Sequence, residues 1–303
     1  MDNALIALSN ELAGLVRKID PHIVSIRARR HYPSSGVIWS SEVVVTANHT
    51  IEREEEISLS FADGRTAEAT LVGREPGSDL AVLKVQTNST LEPIRQTNDI
   101  SAGELALVVA HSPDSGVNAS LGIVSAKSGP WRTWRGGQLD AYIRLDARFF
   151  PHSSGGAVVN AEGQLLGIAT SALSRIAGLA IPASTVAAVT TKILERGFVP
   201  RGYLGFAIQP VPVPQAFMEK LQIPNDWGLI VLNVESGGPA DRAGILPGDI
   251  LTGIGDTAVG QVEDLQRFSD SNAIGTTVRV TVVRGGELKS LELIVGERPR
   301  RRG

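Results

Sequence analysis

The stretch Val43-Val44-Val45-Thr46-Ala47-Asn48-His49 decides the fold of this chain. Its β-branched run favours an extended strand, and the histidine stands where that strand ends. On both sides of it, from about Ile23 to Ile181, short β-type runs alternate with turn residues, and no helical pattern separates them. Roughly a dozen short strands of this kind predict closed antiparallel barrels or a sandwich.

Length and composition describe a folded chain of two domains. The 303 residues are about twice a typical domain. With 42% hydrophobic and 20% charged residues, a mostly disordered protein is excluded. The net charge of −3 gives no electrostatic basis for binding nucleic acid or an anionic membrane surface. Without cysteine there is no disulfide, thiolate nucleophile or sulfur-based zinc site, but the compartment stays open.

The order of patterns along the chain divides it into four segments. A helix that Pro182 opens and Gly197 ends follows the β-rich region, and the stretch Gly197 to Gly202 is the predicted linker. Beyond the linker, strands and short helices form a compact α+β module. We therefore predict an amphipathic helix at 1–20, a β-barrel domain at 21–199, an α+β domain at 200–297 and a solvated basic tail at 298–303.

The first segment carries apolar residues at alternating steps of three and four: Leu5, Leu8, Leu12, Leu15 and Ile19. This spacing predicts a helix that lies on its own domain, and it also suits a helix that packs between subunits. Asp2 and the interrupting polar residues do not match a secretory signal. No stretch approaches the roughly 20 apolar residues of a membrane span. We therefore expect a cytoplasmic protein, with a processed and exported form as the alternative.

Three polar residues match the parts of a catalytic triad. His49 ends an apolar strand, Asp79 stands directly before the apolar run Leu80 to Val85, and Ser154 lies in a glycine-rich turn. A serine hydroxyl needs a base to remove its proton, and that base needs an anion to fix its tautomer. The chain order His, Asp, Ser is that of chymotrypsin-like double barrels.

A series of short motifs then follows in a fixed order. In the first domain they are Ser35-Gly36-Val37-Ile38, Val45-Thr46-Ala47-Asn48-His49-Thr50-Ile51, Gly77-Ser78-Asp79-Leu80-Ala81-Val82-Leu83-Lys84-Val85, Leu121-Gly122-Ile123-Val124-Ser125-Ala126, Ser153-Ser154-Gly155-Gly156-Ala157-Val158-Val159-Asn160 and Leu179-Ala180-Ile181-Pro182-Ala183-Ser184. In the second they are Tyr203-Leu204-Gly205-Phe206 and Gly238-Pro239-Ala240-Asp241-Arg242-Ala243-Gly244-Ile245-Leu246-Pro247-Gly248-Asp249-Ile250. Over about residues 20 to 297 the chain resembles the HtrA (high-temperature-requirement) family of serine endopeptidases.

This resemblance implies a mainly β fold, a chymotrypsin-like double six-stranded β-barrel followed by an α+β PDZ domain. It implies that Ser154 is the nucleophile, His49 the general base and then acid, and Asp79 the orienting carboxylate. The backbone amides of His152, Ser153 and Ser154 are then the oxyanion hole. It further implies unfolded or flexible polypeptide substrates, a role in protein quality control, a homotrimer, and no cofactor or metal.

One position departs from the family pattern. The usual turn is Gly-Asn-Ser-Gly-Gly, whereas this chain has His152-Ser153-Ser154-Gly155-Gly156. Glycine has a conformational freedom there that His152 lacks. The histidine can reach the required geometry, or the hole can stay collapsed until substrate or a PDZ ligand rearranges the loop. The alternative to an active protease is a catalytically silent peptide-binding protein, and His152 is also a candidate second titrating group.

The specificity pocket is expected along the strand and loop that follow the nucleophile. Its predicted wall contains no acidic residue, and an apolar wall gives a cationic side chain no partner. We therefore expect a small or medium aliphatic side chain on the acyl side of the cleaved bond. The predicted wall residues are Ile168, Ala169, Ala172, Leu173 and Ile176.

The second domain has its own predicted binding site. Successive backbone amides after Tyr203 can form a nest for a terminal carboxylate, and the strand that Phe206 begins can accept a peptide as an added strand. Leu265 and Phe268, on a helix predicted over Val262 to Ser271, are expected to line the side-chain pocket. The full predicted set is Tyr203, Leu204, Gly205, Phe206, Leu265 and Phe268, and the expected partner is a C-terminal peptide.

Overall fold

The computed structural model describes residues 4–86, 92–269 and 273–299. The chain divides into two compact units between Val199 and Pro200. Arg300 to Arg302 of the predicted basic tail lie outside the described residues, as do the last two residues of the helix predicted to end at Ser271. Within the described residues, no helix is long and apolar enough to cross a membrane.

Six antiparallel strands close the first barrel of the first unit. They follow one another around it in the order β1-β2-β3-β6-β5-β4. Their bounds are β1 (Ile23–Arg27), β2 (Ser34–Ser40), β3 (Val43–Ala47), β4 (Ile57–Phe61), β5 (Thr66–Glu75) and β6 (Leu80–Gln86).

The second barrel also has six strands, in the order β11-β14-β13-β12-β7-β8, and a two-stranded ribbon of β9 and β10 accompanies it. The bounds are β7 (Leu105–Ser112), β8 (Gly116–Ser128), β9 (Trp131–Arg132), β10 (Gln138–Leu139), β11 (Tyr142–Asp146), β12 (Ala157–Val159), β13 (Leu165–Thr170) and β14 (Gly178–Pro182). The prediction of a double six-stranded barrel is confirmed.

The valine run of β3 explains why its end lies at the junction of the barrels. Successive side chains of a strand point to opposite faces. Val44 lies in the core of the first barrel with Leu83, whereas Val45 lies in a cluster that contains Val109 and Ile168 of the second barrel. Because both faces are buried, the strand is apolar throughout and holds the residues after Ala47 rigidly between the barrels.

Two helices pack on this unit. The helix α1 (Ala4–Ile19) buries Ile19 completely, and Leu12, Leu15 and Val16 pack on the same core cluster, but Leu5, Ile6 and Leu8 are exposed. The helix α2 (Ala183–Arg196) ends at Gly197, whose φ of 76° lets its N–H bond the carbonyl of Ile193.

The second unit is an α+β module around one sheet in the order β16-β17-β18-β20-β21, with β19 paired to β18 and β15 to β22. Its elements are β15 (Gly202–Tyr203), β16 (Phe206–Pro212), α3 (Gln215–Leu221), β17 (Trp227–Val234), α4 (Pro239–Arg242), β18 (Ile250–Ile254), β19 (Thr257–Ala258), β20 (Thr277–Arg284), β21 (Glu287–Ile294) and β22 (Gly296–Glu297). The predicted helix from Val262 is a 3₁₀ helix, Val262–Ser269.

Candidate active site

Strand pairing brings His49 and Asp79 together. The strands β3 and β6 are antiparallel with Ala47 opposite Leu80, so the residues after one strand meet those before the other. His49 Nδ1 lies 2.8 Å from Asp79 Oδ2, and the His49 backbone N–H donates to Asp79 Oδ1 at 2.9 Å. The carboxylate therefore fixes both the backbone and the ring of the histidine.

The surroundings of Asp79 stabilise a buried carboxylate. It is completely buried, and its φ of 59° is a left-handed conformation that non-glycine residues seldom adopt. The Thr170 hydroxyl donates a third hydrogen bond, to Asp79 Oδ2 at 2.5 Å. Three donors offset the cost of burying the carboxylate. Sequence reasoning missed Thr170, because nothing in its local pattern separates it from other strand-end threonines.

The turn around Ser154 requires glycine at the next position. Gly155 has a φ of +87°, and a Cβ there would lie 2.0 Å from the Ser35 carbonyl oxygen and 2.3 Å from Thr46 Oγ1. The Gly155 N–H donates to the Ala169 carbonyl at 2.8 Å. The turn therefore packs closely against β2 and β3 of the first barrel and is hydrogen-bonded to β13 of the second.

The Ser154 hydroxyl is hydrogen-bonded at the strand end that also bonds Asp79. Its hydrogen-bond partner is the Ser171 hydroxyl, at 3.1 Å, and Ser171 directly follows the threonine that bonds Asp79. The structure thus gathers all three predicted triad residues at the end of β13. In this conformation the Ser154 hydroxyl is paired with Ser171 rather than with the imidazole.

The oxyanion turn, Phe150–Ser154, presents two unbonded amides. Among the described residues the His152 and Ser154 backbone N–H groups have no hydrogen-bond acceptor. The Ser153 N–H, in contrast, donates to the Phe150 carbonyl at 2.9 Å, and the Ser153 hydroxyl accepts from the Phe150 N–H. The prediction that the Ser153 amide serves the oxyanion hole is therefore wrong for this conformation, since that amide is used to close the turn.

His152 sits in this turn without a left-handed backbone. Among the described residues, positive φ at a non-glycine position occurs at Glu56, Asp79 and Gln222 only. The imidazole of His152 stacks on Phe150 with ring centroids 5.9 Å apart. Burial, and after it the charge of Arg29, lowers the pKa of His152 below its ordinary value of 6.5. His152 is therefore held neutral near pH 7.

Three hydrogen bonds hold the oxyanion turn from the first barrel. The Ser35 backbone N–H donates to the Ser154 carbonyl at 3.2 Å. Ser35 Oγ donates to the His152 carbonyl at 2.8 Å, and Arg29 Nη2 donates to the Pro151 carbonyl at 2.7 Å. Ser35 belongs to a quoted sequence motif, but its hydroxyl carried no predicted role. Arg29 had no sequence signal, because its partner is 122 residues away.

The predicted specificity wall is only partly where a pocket needs it. Ile168 is fully buried in the core cluster between the barrels, and Leu173 belongs to the same cluster. Ile176 is 90% exposed. The side chains of Ile168 and Leu173 therefore fill the core, and that of Ile176 points into solvent. Ala172 is half-buried, and Ala169 is buried on the opposite face of β13 from Ile168.

The predicted residues of the second unit do come together. Leu204 and Phe206 pack against the core cluster that contains Leu265 and Phe268. Gly205 has a φ of +84°, and a Cβ there would lie 2.9 Å from Pro239 Cδ. The Tyr203 hydroxyl bonds the carboxylate of Glu235, an interaction the sequence did not suggest.

The loop backbone of this unit has a defined orientation. The Leu204 carbonyl accepts from the Ala240 N–H at 3.0 Å, and the Gly205 carbonyl accepts from the Glu235 N–H at 2.9 Å. A trans peptide directs its C=O and the following N–H oppositely. The Gly205 and Phe206 amides therefore face away from the Ala240 and Glu235 N–H groups. Both amides lie at the start of β16, an edge strand of the sheet.

Two family descriptions match the chain. A trypsin-like peptidase domain matches residues 34–168, and a PDZ domain matches residues 202–295. The first range runs from the start of β2 into β13, and the second contains nearly all of the α+β module. The two matches follow one another in the order that the motifs predict.

Curated relatives have related names. The chain is 32% identical over 281 residues to a probable periplasmic serine endoprotease DegP-like of Rhizobium meliloti, covering 90% of this chain and 55% of the relative. A protein of the same name from Brucella suis is 30% identical over 278 residues, covering 89% and 53%. The chain thus spans about half the length of these relatives.

Solved structures share the fold. The HtrA-type protease AlgW, solved with a decapeptide, superposes with a TM-score of 0.74 at 28% identity and covers 95% of this chain and 99% of that one. This similarity extends over both units.

The cytoplasmic location expected from the N-terminal sequence is wrong. The curated relatives are named periplasmic endoproteases. The polar residues of the first segment are a poor guide to location, because an amphipathic helix that packs on its own domain has the same pattern in any compartment.

Proposed function

We propose that this chain hydrolyses peptide bonds through an acyl-enzyme on Ser154. It belongs to the HtrA family of serine endoproteases and joins a trypsin-like peptidase domain to one PDZ domain. One observation carries the proposal. His49 Nδ1 lies 2.8 Å from a fully buried Asp79 carboxylate, and the strand end that bonds this carboxylate also bonds the Ser154 hydroxyl.

The chemistry follows from these positions. The Ser154 hydroxyl turns from Ser171 to the His49 imidazole, which takes its proton while Oγ attacks the carbonyl carbon of the substrate. The C–N bond then breaks, and His49 returns the proton to the leaving amine. Water attacks the resulting ester with His49 again as base, which releases the carboxylic acid and restores Ser154. Asp79 stabilises the imidazolium in both halves of the reaction.

The unbonded amides of His152 and Ser154 support an oxyanion hole. Negative charge develops on the carbonyl oxygen in each tetrahedral intermediate, and pre-oriented N–H donors stabilise it there without reorganising. We assign that role to these two amides and not to Ser153. His152 contributes its backbone, which needs no particular side chain provided that the peptide plane is oriented correctly.

A second candidate function is a catalytically silent peptide-binding protein. It is favoured by the Ser154–Ser171 hydrogen bond, which leaves the nucleophile disengaged from His49, and by a histidine at the position where the family has glycine. In that case the barrels are a scaffold and the PDZ domain performs the function. The two candidates differ in whether the Ser154 hydroxyl ever becomes reactive.

For the PDZ domain we propose binding of peptide C-termini. The Gly205 and Phe206 amides face away from the Ala240 and Glu235 N–H groups that bond the preceding carbonyls, as a carboxylate nest requires, and the edge strand β16 is available for an added strand. The apolar side chains of Leu265 and Phe268 belong to the core cluster on which Leu204 and Phe206 pack, and with Tyr203 they complete the proposed site. The structural relative AlgW was solved with a decapeptide.

The proposed carboxylate contact has a direct test. A peptide with a free C-terminus and the same peptide with an amidated C-terminus are titrated against the full chain by fluorescence anisotropy. Hydrogen bonds to a charged group contribute about 1.5–3 kcal/mol, so amidation is expected to weaken binding about tenfold or more. Equal affinities would show that the loop does not hold a carboxylate.

The acyl-side specificity proposal rests on Ala172, which is half-buried, because Ile168, Ala169 and Leu173 are buried in core clusters and Ile176 points into solvent. With small apolar side chains and no carboxylate, this region favours a small or medium aliphatic side chain. A peptide-library cleavage profile dominated by lysine or arginine at that position would contradict it.

Substrate and setting are proposed from the relatives. We propose unfolded or flexible polypeptides as substrates, a protein quality-control role, an extracytoplasmic location and a homotrimer. The names of the relatives support the protease activity and the compartment. The substrates, the role and the trimer rest on family resemblance.

Hydrolysis of an unfolded reporter protein tests the enzymatic proposal. Wild type, Ser154→Ala and the control Ser184→Ala, a half-buried serine in the first turn of α2, are incubated with the reporter with and without a C-terminal peptide. We expect wild type and Ser184→Ala to cleave it and Ser154→Ala not to. Intact reporter in every sample, together with retained peptide binding, would favour the silent peptide-binding protein.

A further inference from the structure

Arg29 joins the loop after β1 to the oxyanion turn. Its guanidinium donates to three backbone carbonyls, those of Tyr32 at 2.5 Å, Pro33 at 3.1 Å and Pro151 at 2.7 Å. The first two contacts fix the side chain within its own loop. The third is the contact through which Arg29 reaches the turn.

The Pro151 contact sets the direction of an amide that the reaction needs. In a planar trans peptide the carbonyl of one residue and the N–H of the next point in opposite directions. With the Pro151 carbonyl directed to Arg29, the His152 N–H is directed away from it. That N–H has no acceptor among the described residues, so it is available for an oxyanion.

The other peptide planes of the turn have their own partners. The plane between His152 and Ser153 is held at both ends, because Ser35 Oγ bonds the His152 carbonyl and the Ser153 N–H bonds the Phe150 carbonyl. The plane between Pro151 and His152 has, within the described part of the chain, the Arg29 bond alone. Proline has no N–H, and Pro151 is exposed.

We infer that Arg29 is a positioning residue for the oxyanion hole, which orients the Pro151–His152 peptide so that the His152 amide faces the substrate. The inference rests on the proposed protease function. Without Arg29 the exposed peptide is free to rotate and to turn its carbonyl towards the hole. A carbonyl there repels the developing oxyanion instead of stabilising it.

The chemistry of Arg29 suits this role. A guanidinium carries several N–H donors in a fixed planar fork and stays protonated at neutral pH. Burial lowers the pKa of Arg29, and the Glu52 carboxylate opposes that effect. Lysine at the same position has one compact ammonium group, which cannot reproduce the same set of bonds.

The test compares Arg29→Gln and Arg29→Lys with wild type in steady-state peptide hydrolysis. Arg53→Gln is the matched control, because Arg53 Nη2 donates to the Arg27 carbonyl at 3.2 Å without reaching the oxyanion turn. We expect kcat to fall about a hundredfold in Arg29→Gln, as on loss of one oxyanion donor, with KM nearly unchanged. Arg29→Lys should be intermediate, and Arg53→Gln should match wild type.

Crystal structures of wild type and Arg29→Gln supply a readout that does not depend on turnover. We expect the Pro151 carbonyl to point to Arg29 in wild type and to turn towards the hole in the variant. An unchanged carbonyl direction in Arg29→Gln, or a kcat within about twofold of wild type, would overturn the inference. If wild type itself is inactive, the proposed function fails, while the carbonyl direction still decides the role of Arg29.

Discussion

The hydroxyl of Ser154 lies 3.1 Å from the hydroxyl of Ser171, so the proposed nucleophile has a hydrogen-bond partner other than the proposed base. Ser171 directly follows Thr170, which bonds the Asp79 carboxylate. The proposed mechanism requires this hydroxyl to turn from Ser171 to the imidazole, so the Ser171 bond opposes engagement of the nucleophile.

Replacing Ser171 by alanine should raise activity. A neutral hydrogen bond contributes about 0.5–1.5 kcal/mol net, so removing it is expected to increase kcat about two- to tenfold by releasing Ser154 towards His49. Steady-state kinetics with a peptide ester and a peptide amide measure the change. A lower or equal kcat in Ser171→Ala would mean that the serine pair does not restrain the nucleophile.

Replacing Thr170 by valine should lower kcat without changing KM much. The variant keeps the shape of the side chain but removes the third donor to Asp79, which lets the carboxylate and the His49 ring reorient. We expect about a tenfold fall, since a hydrogen bond to a charged group contributes about 1.5–3 kcal/mol. Thr170→Ser, which retains the hydroxyl, should restore most of the activity. A variant Thr170→Val as active as wild type would exclude a positioning role.

The free energy of unfolding of the first unit should depend on pH through His152. Burial and then the Arg29 charge lower its pKa in the folded chain below the ordinary 6.5. The unfolded chain therefore binds the proton more readily. The contribution of the neutral imidazole to the free energy of unfolding is fully present above pH 6.5 and is lost as the pH falls through the pKa of His152 in the folded chain. Urea unfolding at pH 7.5 and pH 5 should show a larger loss for wild type than for His152→Gln. Equal losses in the two proteins would contradict this assignment.

The stability of the PDZ module should depend on the ion pair between the buried Asp249 carboxylate and the half-buried Arg284. Asp249 is 1% exposed and accepts from Arg284 Nε at 2.7 Å and Nη2 at 2.6 Å. Burial alone raises the pKa of Asp249, but the bonds from Arg284 and from the Leu246 amide outweigh it and lower the pKa on balance.

Arg284→Met leaves this carboxylate buried without its partner, which costs about 3 kcal/mol for a buried pair. Hydrogen–deuterium exchange of the full chain should show faster exchange in β18 and β20. The control Arg279→Met changes an exposed arginine of the same strand and should leave the exchange unchanged. Slow exchange preserved in Arg284→Met would show that the pair is not needed for stability.

Sequence patterns were sufficient to predict the barrels, because their strands depend on local features, whereas the triad stays a prediction. The valine run, the glycine turn and the order of His49, Asp79 and Ser154 are visible without coordinates. Thr170 and Arg29 were not predictable, since their contacts join segments 91 and 122 residues apart that meet only when the barrels close.

The specificity wall was harder to predict for a different reason. Adjacent residues of a strand face opposite sides, so Ile168 and Ala169 cannot line one pocket, and both faces of β13 are buried at these residues. In the loop after β13 no periodicity constrains the side chains, and Ile176 points to solvent.

The central claim, that Ser154 is an activated nucleophile, is tested most directly by labelling with a fluorophosphonate probe. Intact-mass measurement and peptide mapping compare wild type with Ser154→Ala, each with and without an activating C-terminal peptide. The account predicts one covalent adduct on Ser154 in wild type and none in the variant. Absence of any Ser154-dependent adduct, even with the peptide present, would contradict it and favour a silent peptide-binding protein.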